Sequence, residues 1–268
     1  MSTLIMAAPN GARKTKSDHP NLPITIDEVV AEARACHIAG AAMLHSHVRD
    51  RNGAHVLDHG LYRELLAAMK QDAPEMLCQI TTESVGKFSP QEQALCLQKV
   101  QPEFASVAIR EITGDQSEAA IDYAKGVLTD AVGSGTCIQY ILYDISDLEF
   151  LRLLHERRML PDGPIDVLYV LGKYNPGFLS SPDELDPFLE SDLKFIRSWM
   201  ICAFGPQEYS SMIKAAEAGG HARVGFENNL MLKDGTVAPS SSALVAQLAQ
   251  SVTPYSPAQA AELFDRAK

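Results

Sequence analysis

Basic residues, paired cysteines and long apolar runs are scarce in this sequence, and their scarcity excludes several classes of protein. The 23 Lys and Arg residues are outnumbered by 34 Asp and Glu residues, and the net charge of −11 argues against a nucleic-acid partner. The five cysteines are scattered without a C-x-x-C pair, as expected for reduced thiols in the cytoplasm. No apolar run approaches the about 20 residues that cross a bilayer, and Leu4–Ala8 is too short for the apolar core of a signal peptide. We therefore expect a cytoplasmic protein without membrane or nucleic-acid partners.

A glycine-rich dinucleotide-binding motif is also missing after the first apolar run, which argues against a doubly wound open sheet. The length of 268 residues suits one domain, residues 1–268. Short apolar runs predict eight strands: Leu4–Ala8, Ala42–His47, Met76–Thr81, Phe104–Ile109, Thr136–Leu142, Asp166–Val170, Trp199–Ala203 and Ala222–Phe226. Amphipathic segments between them predict helices over Thr25–Ala39, Ser89–Val100, Gln116–Val132, Leu148–Arg157 and Gln207–Ala218. This alternation favours an α/β fold, a (β/α)8 TIM barrel of parallel strands, with the open sheet as the alternative.

The most informative motif is His45-Ser46-His47 at the end of the second predicted strand. Alternate strand residues point to the same side, so the two imidazoles converge. A carboxylate such as Glu227 can supply a third ligand. Three protein ligands with a vacant position are typical of a catalytic rather than a structural zinc site, although manganese or iron(II) would also suit these ligands. The pattern predicts a metal-dependent enzyme.

In a TIM barrel the C-terminal ends of all eight strands face one shared opening, here called the mouth. Several polar side chains are expected there: Arg13, Thr81, Thr82, Glu83, Ser106, Arg110, Gln139, Arg223 and Asn228. A metal triad with several cations suits an anionic substrate, most simply one that carries a carboxylate. Metal hydrolases of the amidohydrolase type also use an H-x-H pair, but on the first strand and with later histidines that this chain lacks.

Three segments, Pro9–Ala12, His45–Asp50 and Gly220–Asn229, together resemble the β-keto acid cleavage enzyme (BKACE) family. The resemblance implies a zinc-dependent TIM barrel that forms a homo-oligomer, a dimer or a tetramer. It also implies a reaction in which a β-keto acid and acetyl-CoA give acetoacetate and a new acyl-CoA. By position, it makes His45, His47 and Glu227 the zinc ligands, Arg223 the active-site arginine and Thr81 a substrate-binding hydroxyl.

Asn228 departs from the family pattern, in which an aspartate acts as the base. An amide cannot accept a proton at neutral pH. Three explanations stay open. Another carboxylate takes over, either Glu83, which stands where the family has glycine, or Glu111. Alternatively, the reaction has changed while the metal remains, or the barrel binds metal without catalysis.

Two further departures concern the substrate. Arg13 and Gln139 each stand where the resemblance implies a glutamate, and at Arg13 that glutamate would bind an amino group. Replacing an anion by a cation argues against an amine and favours a second carboxylate, as in a 3-oxoadipate-like acid.

The remaining histidines are given structural rather than catalytic interpretations. His19, His37, His55 and His59 have no partner at ligand spacing and are expected to be surface or structural residues. His221 begins a strand at the end opposite the mouth, so packing is the expected role.

Overall fold

Eight parallel strands form a closed barrel, which confirms the TIM-barrel prediction. The computed structural model describes residues 1–173, 175, 177, 179–191 and 194–265. The barrel strands are β1 Ile5–Ala7, β2 Met43–Ser46, β3 Leu77–Thr81, β4 Phe104–Ala108, β5 Cys137–Leu142, β6 Asp166–Leu171, β7 Ser198–Ala203 and β8 His221–Val224. Each strand pairs with the next in chain order, and β8 closes on β1 through Ala222 opposite Ile5. The predicted strands are all present, with ends shifted by no more than two residues.

Helices follow the strands and cover the outside of the barrel. They are α1 Ile26–Ile38, α2 His59–Asp72, α3 Pro90–Val100, α4 Ile109–Ile112, α5 Glu118–Gly133, α6 Ile145–Glu156, α7 Asp186–Leu189, α8 Glu208–Glu217, α9 Ser241–Ala249 and α10 Pro257–Leu263. The five predicted helices are confirmed, and the capping box at Thr25 and Glu28 is present. The sequence prediction lacks α2, α4, α7, α9 and α10. Within the described residues, no helix is long and apolar enough to cross a membrane.

Two short strand pairs lie outside the barrel. Ser2–Thr3 pairs with Thr253–Pro254, and Val48–Arg49 forms a small hairpin with His55–Val56. The hairpin follows β2 directly, so it lies at the mouth beside the H-x-H motif.

The barrel interior changes from apolar to polar along its axis. At the N-terminal end, Leu4, Met43 and Phe104 face inward, and the ring of Phe264 packs on Phe104 with 5.4 Å between centroids. Toward the mouth the buried side chains become polar: His45, Gln79, Ser106, Gln139 and Arg223. Burying polar side chains costs free energy unless they have hydrogen-bond partners. Their concentration at the mouth therefore indicates that a binding site lies there.

Candidate active site

His45 and His47 meet at the mouth as their strand position predicts. Both side chains are buried, and their Nε2 atoms lie 3.3 Å apart. Burial is the main cause, and the nearby Arg223 the second, of a pKa of His45 that is lowered to about 3. His45 is therefore neutral at physiological pH, as a metal ligand must be.

Glu227 completes the triad from the loop after β8. Its Oε2 lies 3.4 Å from His45 Nε2, and its Oε1 lies 3.6 Å from His47 Nε2. The backbone of this loop is fixed by the Glu227 N–H, which donates to the Ala8 carbonyl at 3.0 Å, and by Lys14 Nζ, which donates to the Glu227 carbonyl at 2.7 Å.

The charge on Glu227 is stabilised from the β8 strand. Arg223 Nη2 donates to its Oε1 at 3.0 Å. Burial alone would raise the pKa of Glu227, but the adjacent Arg223 guanidinium holds it well below its usual range. Glu227 Oε2 is buried and has no hydrogen-bond partner among the described residues.

The three side chains form a group whose ligand atoms all lie within 4.8 Å of one another. Two imidazoles and an ionised carboxylate with an unpartnered oxygen fit a divalent metal of the zinc type. Among the described residues this is the one such group of His, Cys, Asp and Glu side chains.

A pair of glutamines orients His45 from inside the barrel. His45 Nδ1 lies 2.7 Å from Gln79 Oε1, and Gln79 Nε2 donates to Gln139 Oε1 at 3.1 Å. Because the Gln79 oxygen accepts from Nδ1–H, the Nε2 lone pair of His45 faces the triad. Gln139 therefore lies behind Gln79, and its predicted contact with substrate stays a prediction.

His55, expected to be a surface or structural residue, is buried beside the triad, so the surface alternative is wrong and the structural one stands. It is buried in the hairpin after β2, and its Nδ1 lies 3.4 Å from His47 Nδ1. Burial first, and the neighbouring His47 second, lower the pKa of His55 to about 4. His55 follows His47 by eight residues, and the turn between them brings the two histidines together in the hairpin. The turn-forming residues Asp50–Gly53 were the sequence signal that could have predicted this contact.

Glu83 stands next to the triad and is paired with Lys173 from the end of β6. Lys173 Nζ donates to Glu83 Oε1, and Glu83 Oε2 lies 3.8 Å from His47 Nε2. Burial would raise the pKa of Glu83, but the Lys173 ammonium and His47 lower it below its usual value. Glu83 is thus a buried carboxylate kept ionised beside the metal ligands.

A cavity of about 480 Å³ opens at the mouth, and its wall includes Glu83 and Glu227. Arg13, Lys14 and Lys173 bring positive charge to its wall, and Phe204 and Asn228 line it as well. Arg13 is exposed at the rim and has no ion-pair partner among the described residues. This mouth cavity can hold an anionic molecule beside Glu227.

The sequence profile of the beta-keto acid cleavage enzyme family matches residues 2–264. The chain belongs to the BKACE family. It is 28% identical over 254 residues to the 3-keto-5-aminohexanoate cleavage enzyme of Acetoanaerobium sticklandii, covering 91% of this chain and 89% of that protein. It is 24% identical to the 3-oxoadipate:acetyl-CoA acetyltransferase of Cupriavidus necator, covering 92% of this chain and 87% of that protein. This BKACE protein is accordingly an enzyme of the acetyl-CoA acyltransferase type.

Among solved structures, the apo structure of ObcA has the same fold. The TM-score is 0.74 at 17% identity, and the match covers 93% of this chain and 66% of that one. The chain therefore spans about two thirds of that longer protein, and the likeness confirms the barrel alone.

Asn228 of this BKACE protein is buried, and neither side-chain atom has a hydrogen-bond partner among the described residues. Its backbone carbonyl accepts from Gly205 N at 3.1 Å, which fixes the residue in the cavity wall. A buried amide without partners costs free energy unless a ligand supplies them. Its position therefore suits hydrogen bonding to substrate, not proton abstraction.

The hydroxyl residues predicted to bind substrate differ in what they contact. Thr81 Oγ1 accepts from Glu83 N at 3.1 Å, so it positions Glu83. Thr82 Oγ1 donates to the Ser106 carbonyl at 3.3 Å. Ser106 Oγ is buried without a partner among the described residues. Ser106 therefore keeps its full hydrogen-bonding capacity for a ligand, and Thr81 keeps its O–H as a donor.

Arg110 lies away from the triad in two ion pairs. Its Nη2 lies 2.5 Å from Asp144 Oδ2 and its Nε 2.7 Å from Asp147 Oδ1. Two carboxylates already neutralise the guanidinium, which fastens the start of α6 to α4. A substrate contact by Arg110 stays a prediction, and it would compete with these pairs.

Two further carboxylates, the half-buried Glu111 and the buried Glu208, lie near the mouth. Glu111 accepts from Ser84 N at 2.8 Å, and burial raises its pKa. Glu208, which sequence reasoning missed, accepts from Asn229 Nδ2 at 3.2 Å and from Gly225 N at 3.3 Å. Burial raises the pKa of Glu208 to about 8. Both carboxylates hold loop backbone or side chains, whereas Glu83 is the one that reaches a metal ligand.

Proposed function

We propose that this protein is a zinc-type, divalent-metal-dependent β-keto acid cleavage enzyme. Its substrates would be acetyl-CoA and a β-keto acid with a second carboxylate, and its products acetoacetate and an acyl-CoA. The observation that carries the proposal is the convergence of His45, His47 and Glu227 beside a mouth cavity whose wall includes Glu227 and the cations Arg13, Lys14 and Lys173.

The proposed metal would supply Lewis acidity, which lowers the pKa of the carbon between the two carbonyls of a β-keto acid. Glu83 would accept the proton from that carbon, since Lys173 keeps its carboxylate ionised and its Oε2 faces His47. Arg223, already paired with Glu227, would stabilise the negative charge that develops on oxygen. The resulting carbanion would attack the acetyl-CoA carbonyl and release the CoA thiolate. The thiolate would then attack the original keto carbon, forming the new acyl-CoA and releasing the acetoacetate carbanion, which would take back its proton from Glu83.

The charges of the cavity wall support a dicarboxylate substrate. Arg13 lies at the rim with its charge unpaired among the described residues, while Lys14 and Lys173 lie deeper. A carboxylate at the far end of the substrate would gain a charge-assisted hydrogen bond from Arg13. One relative acts on 3-oxoadipate, by its name a dicarboxylate, which agrees with this reading. Ser106 and the amide of Asn228 would provide neutral hydrogen bonds to the same molecule.

Asn228 favours a second candidate function. A barrel that keeps the metal but has an altered or lost reaction would also replace the family's aspartate by an amide. The two candidates differ in whether Glu83 supplies the missing proton acceptor.

We propose that the protein forms a homo-oligomer, a dimer or a tetramer, as the family resemblance implies. We also propose that it works in the cytoplasm, as the scattered cysteines indicate. All five cysteines are free in the described structure.

The test is turnover by zinc-loaded protein with acetyl-CoA and a panel of β-keto acids, with metal content measured in the same samples. We expect acetoacetate from 3-oxo dicarboxylates, slower turnover of monocarboxylates and none of amino-substituted acids. Bound zinc with no turnover of any β-keto acid would support the second candidate instead.

A further inference from the structure

His55 contacts Nδ1 of His47, the ring nitrogen that faces away from the triad, as Gln79 contacts Nδ1 of His45. A metal held by the Nε2 of a neutral histidine requires a proton on Nδ1, and that proton needs an acceptor. For His45 the acceptor is Gln79 Oε1 at 2.7 Å. For His47, Nδ1 faces the Nδ1 of His55 at 3.4 Å.

The far side of His55 decides which of its nitrogens can accept. Its Nε2 lies 3.0 Å from the backbone carbonyl of Glu83. A carbonyl oxygen can only accept, so the proton of a neutral His55 lies on Nε2. The Nδ1 lone pair of His55 is then directed to His47, which leaves the Nε2 lone pair of His47 for the triad.

The surroundings hold the ring of His55 in this orientation. Its backbone pairs with Arg49 in the hairpin, and its ring meets Phe88 edge-on with 5.6 Å between centroids. The carbonyl that His55 contacts belongs to Glu83, so one hydrogen-bonded line joins His47, His55 and the backbone of the proposed proton acceptor.

We propose that His55 is a positioning residue that fixes His47 in the tautomer required for metal binding. This inference rests on the metal site of the proposed function. His47 and His45 are then held in the same way. Each imidazole has a hydrogen-bond acceptor at Nδ1, His55 for His47 and Gln79 for His45, and each acceptor makes a second hydrogen bond, to the Glu83 carbonyl or to Gln139.

The first experiment measures the zinc dissociation constant by competition with a chromophoric chelator. We expect His55→Phe, which keeps an aromatic ring against Phe88, to weaken zinc binding about 10- to 100-fold. His55→Gln should keep most of the affinity, because an amide can accept from His47 and donate to Glu83. His221→Phe is the control: it removes a buried histidine whose Nδ1 accepts from Leu4 N at the other end of the barrel, and it should leave zinc affinity unchanged.

Equal affinities of the wild-type and His55→Phe proteins would overturn the inference, as would equal losses in the Phe and Gln variants. If the unsubstituted protein bound no divalent metal, the proposed function itself would fail. A second measurement needs no variant: nitrogen-15 NMR of the histidine rings in wild-type protein should show His55 protonated on Nε2. Protonation of His55 on Nδ1 would contradict the inference whether or not the variants fold.

Discussion

Glu83 is the residue on which the proposed chemistry depends, because Asn228 cannot accept a proton. Its Oε2 lies 3.8 Å from His47 Nε2, while Lys173 holds its other oxygen. Lys173 Nζ also lies over the rings of Tyr143 and Phe204, 5.5 Å and 5.7 Å from their centroids. The ion pair of Glu83 and Lys173 therefore fixes the proposed proton acceptor against the aromatic side chains at the mouth.

Replacing Glu83 with Gln should lower kcat by about 100- to 10,000-fold, the usual range for loss of a general base. Zinc affinity should change little, since Glu83 lies outside the ligand group. Steady-state kinetics and metal content, measured on the same preparation, separate the two effects. Glu111→Gln, which removes a half-buried carboxylate near the mouth, is the control and should keep most of the activity.

Asn228→Asp tests the same assignment from the other side. Introduced into the Glu83→Gln protein, it should restore part of the lost activity, because it places a carboxylate at the family's base position. Full activity of Glu83→Gln alone would show that Glu83 is not the proton acceptor. A gain from Asn228→Asp in the otherwise unchanged protein would show that one base had been missing.

Arg13 should govern the choice of substrate. Arg13→Ala is expected to raise KM for a 3-oxo dicarboxylate by about 10-fold, the value of one charge-assisted hydrogen bond, and to leave KM for a monocarboxylate unchanged. Lys16→Ala is the matched control, since Lys16 is an exposed cation paired with Glu28 in the same loop. The same rise in KM for both substrate classes would contradict a contact with a second carboxylate.

At the scale of elements, the loop after β1 holds the metal ligand of the loop after β8. Gly11 has φ of +64°, and a Cβ there would lie 2.5 Å from Glu227 Cγ. The loop is fixed by Arg49, whose guanidinium donates to the carbonyls of Gly11 and Lys14. Arg49 is thus committed to backbone and not to substrate.

Gly11→Ala should displace Glu227 and weaken zinc binding at least about 10-fold, as well as destabilise the fold by more than about 1 kcal/mol. The control is Gly219→Ala, at φ of +85° with no atom within 4 Å of a Cβ. Gly219→Ala places a side chain at a positive φ, as Gly11→Ala does, but its Cβ does not clash with another residue. Chelator competition and thermal unfolding on both variants measure the difference, and equal zinc affinities would exclude the proposed contact.

Sequence patterns were sufficient for the strands and for the metal ligands. Period-two alternation places His45 and His47 on one side, and the strand order of a barrel brings Glu227 to them. Helix α2 was also within reach, because Asp58 caps it and Tyr62, Leu65 and Met69 form a buried stripe.

Other parts of the site depend on contacts that no local pattern contains. Glu83 and Lys173 meet across 90 residues, and their pairing follows from the curvature of the barrel. Gln139 faces into the barrel on the strand where it was expected, but whether it reaches substrate or Gln79 is decided by side-chain packing in the interior.

For the whole molecule, buried histidines predict loss of stability in acid. Burial lowers the pKa of His221 to about 4, from the usual histidine value of 6.5. Between these values the unfolded chain binds a proton that the folded chain does not, so stability falls as pH decreases from about 6.5 toward 4. Each such histidine contributes a slope of up to about 1.4 kcal/mol per pH unit.

The free energy of unfolding, measured with urea at pH 7, 6 and 5, should decrease in that order. In the His221→Gln protein it should fall less steeply with pH. His155→Gln, which changes an exposed histidine, is the control. An unchanged slope in the His221 variant would show that this residue does not take up a proton on unfolding.

The central claim is that the carbon between the carbonyls of a β-keto acid attacks acetyl-CoA at the metal triad. The most direct measurement uses zinc-loaded protein, a 3-oxo dicarboxylate and acetyl-CoA carrying carbon-13 in both acetyl carbons, followed by NMR. We predict acetoacetate labelled at C3 and C4, with an unlabelled acyl-CoA formed in equal amount and no reaction in a His45→Ala protein. Label in the acyl-CoA, or no acetoacetate from protein with zinc bound, would contradict the proposed reaction.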